Sequence, residues 1–317
     1  MECAGIASPA NTIRVAVVTG GNKGIGLEVC RQLAGNGISV VLTARDEVRG
    51  AAAVDQLIKD QGLSSDVALF HQLDITDALS IARLADFLKN RFGKLDILVN
   101  NAAVRGAEYA HDTDYGSVTS QEKEKQLSGM DMDQRLGWMW ENTRETYDTA
   151  KTGLATNYYG TKQVIEAFLP LLQASSEGRI VNVSSHLGQL RLLRSEELKR
   201  ELNDTDNLTQ ERLDELLDMF LKDFEEDKVD SRGWPKYFSA YKVAKATLNA
   251  YSRILAREHP ELRVNCVHPG YVKTDMTIHS GLLTPEEGGS RVAMVALLPE
   301  GGVTGAFFED FKESSFV

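Results

Sequence analysis

Tyr241 and Lys245 stand four positions apart in SAYKVAK (239–245), a spacing that on a helix puts both side chains on one face. A phenol, with a reference pKa of about 10, yields phenolate near neutrality only beside a cation, and a lysine one turn on is such a cation. Upstream, RIVNVS ends in Ser184-Ser185, and a hydroxyl at the end of a strand can hold and polarise a carbonyl oxygen. Asn157 lies within LATNYYGTKQVIEAFLPLL, where an amide is unfavourable in a helix interior. It reads either as part of a polar network or water relay, or as an ordinary helix-terminal or surface residue. A positioned proton donor and an orienting hydroxyl are what delivery of hydride to a carbonyl carbon requires.

The hydride source has its own signal. Thr19-Gly20-Gly21-Asn22-Lys23-Gly24-Ile25-Gly26 follows the first apolar run and precedes a helical pattern from Leu27. Glycines there permit a tight turn and close approach to a pyrophosphate, and the helix N-terminus favours the anion. Gly20, Asn22, Lys23, Gly24, Ile25 and Gly26 are therefore expected to cradle a dinucleotide. The second run ends Thr43-Ala44-Arg45. An acidic residue at that place would bond both ribose hydroxyls, whereas Arg45, helped by Lys23, suits a 2′-phosphate. NADPH/NADP+ is the expected cofactor, with Asp46 a candidate for the acidic role if NADH is also used.

Seven short β-branched and aliphatic runs, at 13–19, 38–43, 67–73, 95–99, 179–184, 262–267 and 305–308, alternate with stretches of helical periodicity. Runs apolar nearly throughout imply a parallel sheet buried between two helical layers, so the fold expected is an α/β Rossmann-type doubly wound sheet of about seven strands. One domain over 1–317 is expected, with insertions at about 104–147 and 186–236 forming a substrate-side cap. The second holds TQERLDELLDMFLKDF, whose Leu213, Leu216, Leu217, Phe220 and Phe224 share one face and read as packing against the body. Trp138, Trp140 and Trp234 all fall in these segments, either as walls of an apolar pocket or as anchors for the insertions.

Bulk properties exclude several classes. The net charge is −11, of which −9 falls between Ser195 and Asp230. Nucleic acid and anionic membrane are disfavoured as partners, while the rest of the chain can still accept an anionic ligand. Cys3, Cys30 and Cys266 are widely separated, so neither a metal site nor a disulfide framework is expected. No run reaches the ~20 apolar residues that span a bilayer, and the N-terminus lacks a secretory pattern; the expected compartment is the cytosol.

The chain closely resembles the short-chain dehydrogenase/reductase family. The resemblance rests on TGGNKGIG (19–26), LD (73–74), NNAA (100–103), Asn157, VNVSS (181–185), YKVAK (241–245) and PGYVKT (269–274), in the correct order along almost the whole chain. Ala103 departs from it, standing where the family usually has glycine. The resemblance implies that Tyr241 is the acid/base, that Lys245 lowers its pKa and binds the nicotinamide ribose, and that Ser185, rather than Ser184, orients the carbonyl. It also implies that Asn157 holds a relay water and that Asp74 contacts the adenine. Ile75, Asn100, Asn101 and Ala102 would line the adenosine side, and Val183, Pro269, Gly270, Val272 and Thr274 the nicotinamide.

Ser185 and Tyr241 are 56 positions apart (241 − 185), far more than in the short members. With NKGIG and LTAR upstream, this is similar to the plant salutaridine reductase and menthone/neomenthol reductase group, related to animal carbonyl reductases. That resemblance implies an apolar cyclic ketone of terpenoid or alkaloid type as substrate, a secondary alcohol as product, and a monomer, because the insertion covers the helix face used for oligomerisation. Some members of the group reduce a conjugated C=C bond instead, which retention of Tyr241 disfavours. A cofactor-binding regulator without turnover is the remaining alternative.

Overall fold

The computed structural model describes residues 13–109 and 125–317. Each predicted apolar run becomes a strand: β1 (Val15–Val18), β2 (Ser39–Ala44), β3 (Ala68–Gln72), β4 (Ile97–Asn100), β7 (Arg179–Val183), β8 (Arg263–Val267) and β9 (Phe307–Glu309). All pair in parallel, in the order β9-β8-β7-β4-β1-β2-β3. Alternate residues serve opposite layers, as a pleated strand requires. Val15 and Val17 enter one core with helices α3 (Ala78–Phe92), α5 (Tyr147–Leu154), α6 (Thr161–Gln173) and α9 (Ser239–Glu258). Ala16 and Val18 enter the other with α1 (Gly24–Gly35), α2 (Glu47–Gln61) and α10 (Pro285–Ala296).

An eighth strand, β10 (Lys312–Ser314), extends the sheet antiparallel to β9. Its Lys-Glu-Ser sequence has no apolar signature. Asp310 (φ 48°) and Phe311 (φ 63°) turn the chain with two successive left-handed residues, the geometry of a tight hairpin. The strand order reverses between β1 and β4, and the crevice beyond the carboxyl ends at such a reversal is where doubly wound folds hold ligands.

The two insertions behave differently. The first contributes β5 (Glu108–Tyr109), α4 (Met132–Glu141) and β6 (Thr143–Arg144), with 110–124 outside the described residues. The second contributes α7 (Glu196–Asn203) and α8 (Gln210–Glu225). The apolar stripe of α8 is buried at Leu213, Leu216, Leu217 and Phe220, and the helix lies against α5 and α9. It therefore sits on the flank of the body, while Leu136 and Met139 of the first insertion and His186 and Leu187 of the second line the cavity. The tryptophans are anchors. Trp234 packs edge-on against Phe220, with ring centroids 5.3 Å apart, and donates its indole N–H to Asp223 at 2.8 Å. Trp138 and Trp140 join a small cluster with Leu127, Met139, Phe238 and Ile278. No tryptophan lines the cavity among the described residues.

Candidate active site

The glycine loop joins β1 to α1. Gly20 (φ +63°) and Gly24 (φ +56°) adopt the left-handed backbone that glycine permits. A Cβ on Gly26 would lie 2.4 Å from the Gly20 carbonyl and 2.5 Å from the Asn101 amide nitrogen, so no side chain fits. Asn101 donates to the carbonyls of Thr19 (2.9 Å) and Gly20 (3.1 Å), and the Thr19 hydroxyl accepts from the backbone of Asn101 and Ala102 at 2.9 Å. Asn101 and Ala102 thus brace the loop from the exit of β4. The N-terminus of α1 carries no side-chain cap, which leaves a helix terminus open to an anion as the dinucleotide reading needs. Asn22 is half-buried in the loop and Ile25 reaches the cavity.

Arg45 is exposed at the end of β2. Asp46 is spoken for: it caps α2 by accepting from the Arg49 N–H at 2.9 Å, and it faces the Arg49 guanidinium at 3.6 Å. Lys23 pairs with Asp275 across the cleft instead of turning towards Arg45. On the adenosine side, Asp74 is half-buried and accepts from the Thr76 N–H (2.9 Å) and hydroxyl (2.7 Å). Ile75 is buried with its carbonyl against Gly160.

Deeper in, Asn100 donates to Asn182 (2.8 Å) and Asn182 to Ser252 (2.8 Å), a buried chain linking β4, β7 and α9 under the site. Ser184 gives its hydroxyl to Asn249 at 2.6 Å, which leaves Ser185 as the serine of the site. The Ser185 hydroxyl accepts from the Leu187 N–H at 3.1 Å, and Ser185 and Tyr241 line the same cavity. Burial pushes the Tyr241 phenol up to about 12, and the nearby Ser185 side chain works against that rise. Lys245, one turn on, donates to the Val183 carbonyl at 2.7 Å and lies 5.7 Å from the Tyr241 ring centroid. Burial lowers its ammonium to about 8.

Asn157 is fully buried in a π-helical segment, Ala155–Gly160, that interrupts the predicted long helix. π-bulges of this kind gather at functional sites. Both ends of its amide are paired with the backbone of Val104, accepting at 2.8 Å and donating at 2.9 Å. The side chain therefore braces the loop after β4.

Ser185 and Tyr241 open onto a cavity of about 100 Å³ whose apolar wall includes Leu136, Met139 and Phe238. Ile25, Pro269, Gly270, Val272 and Thr274 also line it, so the glycine loop and the Tyr241–Ser185 pair share one space. Gly270 (φ +90°) adopts a backbone conformation that residues with a side chain rarely take.

Three contributors lay beyond sequence reasoning. Glu145 binds the start of α9, accepting from the N–H groups of Ser239 and Ala240 at 3.0 Å each. His186 and His268 line the cavity beside Ser185. The adjacency of His186 to Ser185 and of His268 to Pro269 was a visible signal for the histidines; Glu145 offered none.

A doubly wound sheet carrying a glycine loop, with a buried serine and lysine and a half-buried tyrosine converging near the point where its strand order reverses, defines an oxidoreductase that uses a nicotinamide cofactor. Residues 14–125 match the short chain dehydrogenase family and 228–297 match the family described as enoyl-(acyl carrier protein) reductase. The chain is 48% identical over 307 residues to (+)-neomenthol dehydrogenase of Arabidopsis thaliana, covering 96% of this chain and 99% of that one. It is 38% identical to human carbonyl reductase [NADPH] 1, covering 90% and 92%. The solved structure of salutaridine reductase from Papaver somniferum superposes with a TM-score of 0.84 at 45% identity, covering 94% and 99%. This chain belongs to the short-chain dehydrogenase/reductase family.

Proposed function

We propose that the protein reduces an apolar cyclic ketone of terpenoid or alkaloid type to a secondary alcohol with NADPH, reversibly. The observation that carries this reading is that Ser185 and Tyr241 line one apolar cavity together with Ile25 of the glycine loop. The relatives named for neomenthol and salutaridine support the substrate class, and the relative named for NADPH supports the cofactor. Exposed Arg45, with Asp46 engaged as a helix cap, suits a 2′-phosphate better than a bare ribose.

NADPH, when bound, supplies the hydride. Ser185 orients the carbonyl oxygen, and Tyr241 gives it a proton as charge develops there. Lys245, fixed by the Val183 carbonyl, favours the phenolate left behind and binds the nicotinamide ribose. Asn157 holds the loop after β4 by its side chain, and its main-chain carbonyl, which accepts from the Thr161 hydroxyl at 3.3 Å, has a second lone pair for a relay water. By this reading the protein works in the cytosol, and it is a monomer because α8 covers the α5 and α9 faces.

Incubation with NADPH and an α,β-unsaturated cyclic ketone tests the chemistry, with an allylic alcohol as the expected product. A saturated ketone would establish double-bond reduction instead. Tyr241→Phe should slow ketone reduction by at least about 100-fold.

A further inference from the structure

The reaction just described makes no use of the two histidines on the cavity wall. His186 follows Ser185, His268 directly precedes Pro269, and both line the cavity. Nδ1 of His186 lies 3.1 Å from Nε2 of His268, with the rings meeting edge to face at 4.6 Å between centroids. At that distance one nitrogen donates and the other accepts. Burial pushes His186 down to about 4 and His268 down to about 3, so both rings are neutral at neutral pH and each carries a single proton.

The surroundings decide where those protons sit. A carboxylate oxygen of Glu309 lies 4.0 Å from the same Nε2 of His268. It attracts a proton there and would repel a lone pair. The other nitrogen of His268, Nδ1, is buried without a partner. A proton on Nδ1 would bury an unpaired N–H, and unpaired buried donors are rarer than unpaired acceptors. His268 therefore donates from Nε2, Nδ1 of His186 accepts, and the proton of His186 resides on its Nε2. That nitrogen has no protein partner among the described residues.

Four other polar groups on the wall, those of Arg105, Tyr271, Thr277 and Ser184, are committed elsewhere. Arg105 donates to the carbonyls of Met276 (2.7 Å) and Asp275 (2.9 Å), and the Tyr271 hydroxyl bonds Ser280 at 2.5 Å. Thr277 donates to the Val272 carbonyl at 2.7 Å and Ser184 to Asn249. We infer that His186 is a specificity-determining hydrogen-bond donor, held in its Nε2–H tautomer by His268 and Glu309. It selects ketones that carry a second acceptor oxygen, such as an ether, a hydroxyl or another carbonyl. The inference rests on the ketone-reductase reading above and names the substrates that this site prefers.

Two measurements test it. Long-range ¹H–¹⁵N correlation spectra of the protein with labelled histidine, saturated with NADP+, report the tautomer of His186, assigned by its disappearance in His186→Leu. The expected form has its proton on Nε2; a proton on Nδ1 or a doubly protonated ring overturns the proposal. Separately, two cyclic ketones of one skeleton, with and without a second oxygen, are compared as substrates. The wild type should show a roughly three- to tenfold lower KM for the oxygenated ketone. His186→Leu should bring the KM ratio close to one, and His268→Leu should shrink it. No preference in the wild type, or one that survives His186→Leu, overturns the proposal. If neither ketone is turned over, the reductase reading fails, while the tautomer measurement still judges His186.

Discussion

The carboxylate of Glu145 accepts the backbone N–H of Ala240, the residue before Tyr241, at 3.0 Å. It also takes the N–H and hydroxyl of Ser239, so one side chain satisfies the open start of α9. The helix has no cap of its own: Phe238 at that place is left-handed (φ 50°) and offers no side-chain acceptor. Burial raises the Glu145 carboxyl, and the Ser239 and Ala240 amides counter the rise. The residue next to β6 in the first insertion thereby anchors the helix that carries the proton donor.

Glu145→Ala should remove about 1–3 kcal/mol of stability, since it leaves buried amides unpaired, and lower Tm by about 2–6 °C. Glu145→Gln, which keeps one acceptor oxygen, should lose less. The kcat should fall along with Tm, because the first turn of α9 positions Tyr241. Thermal unfolding and steady-state kinetics check both, and an unchanged Tm in Glu145→Ala would refute the capping role.

Cofactor choice rests on Arg45. Arg45→Ala should raise the KM for NADPH roughly 10- to 100-fold and scarcely alter that for NADH, as loss of a charge-assisted phosphate contact implies. Equal effects on both cofactors would remove Arg45 from the phosphate site. Lys23→Ala should have a smaller effect, since Lys23 is paired with Asp275.

Ketone reduction should slow as pH rises through about 8, where buried Lys245 loses its charge, while Tyr241, near 12, keeps its proton throughout. Stability moves the other way. The folded pKa of Lys245 is depressed below the unfolded value of about 10.4, so between those limits the unfolded chain binds more protons and stability rises with pH. A kcat/KM profile from about pH 6 to about pH 10 shows the first effect, and a profile flat through 8 would exclude Lys245 as its cause.

Gly26→Ala forces a methyl group into the 2.4 Å gap to the Gly20 carbonyl. The loop must open, so NADPH affinity should fall by at least about tenfold with a measurable loss of Tm. Fluorescence titration with NADPH reads the affinity, and wild-type binding would show that the loop tolerates displacement.

The amino-acid sequence by itself determined the seven parallel strands, the glycine loop and the one-turn relation of Tyr241 to Lys245. Each of these is carried by neighbouring residues, through apolar runs, glycine's backbone freedom and helical spacing. It did not disclose β10, whose pairing depends on a turn of two left-handed non-glycine residues. Only the tertiary structure decided that the tryptophans anchor the insertions and that α8 lies on the flank of the body. It also decided that Glu145 caps a helix 94 positions further on and that His186 meets His268 across 82. Such pairs leave no periodicity in the chain, because what joins them is the packing of separate elements and the need to satisfy polar groups once water has been excluded.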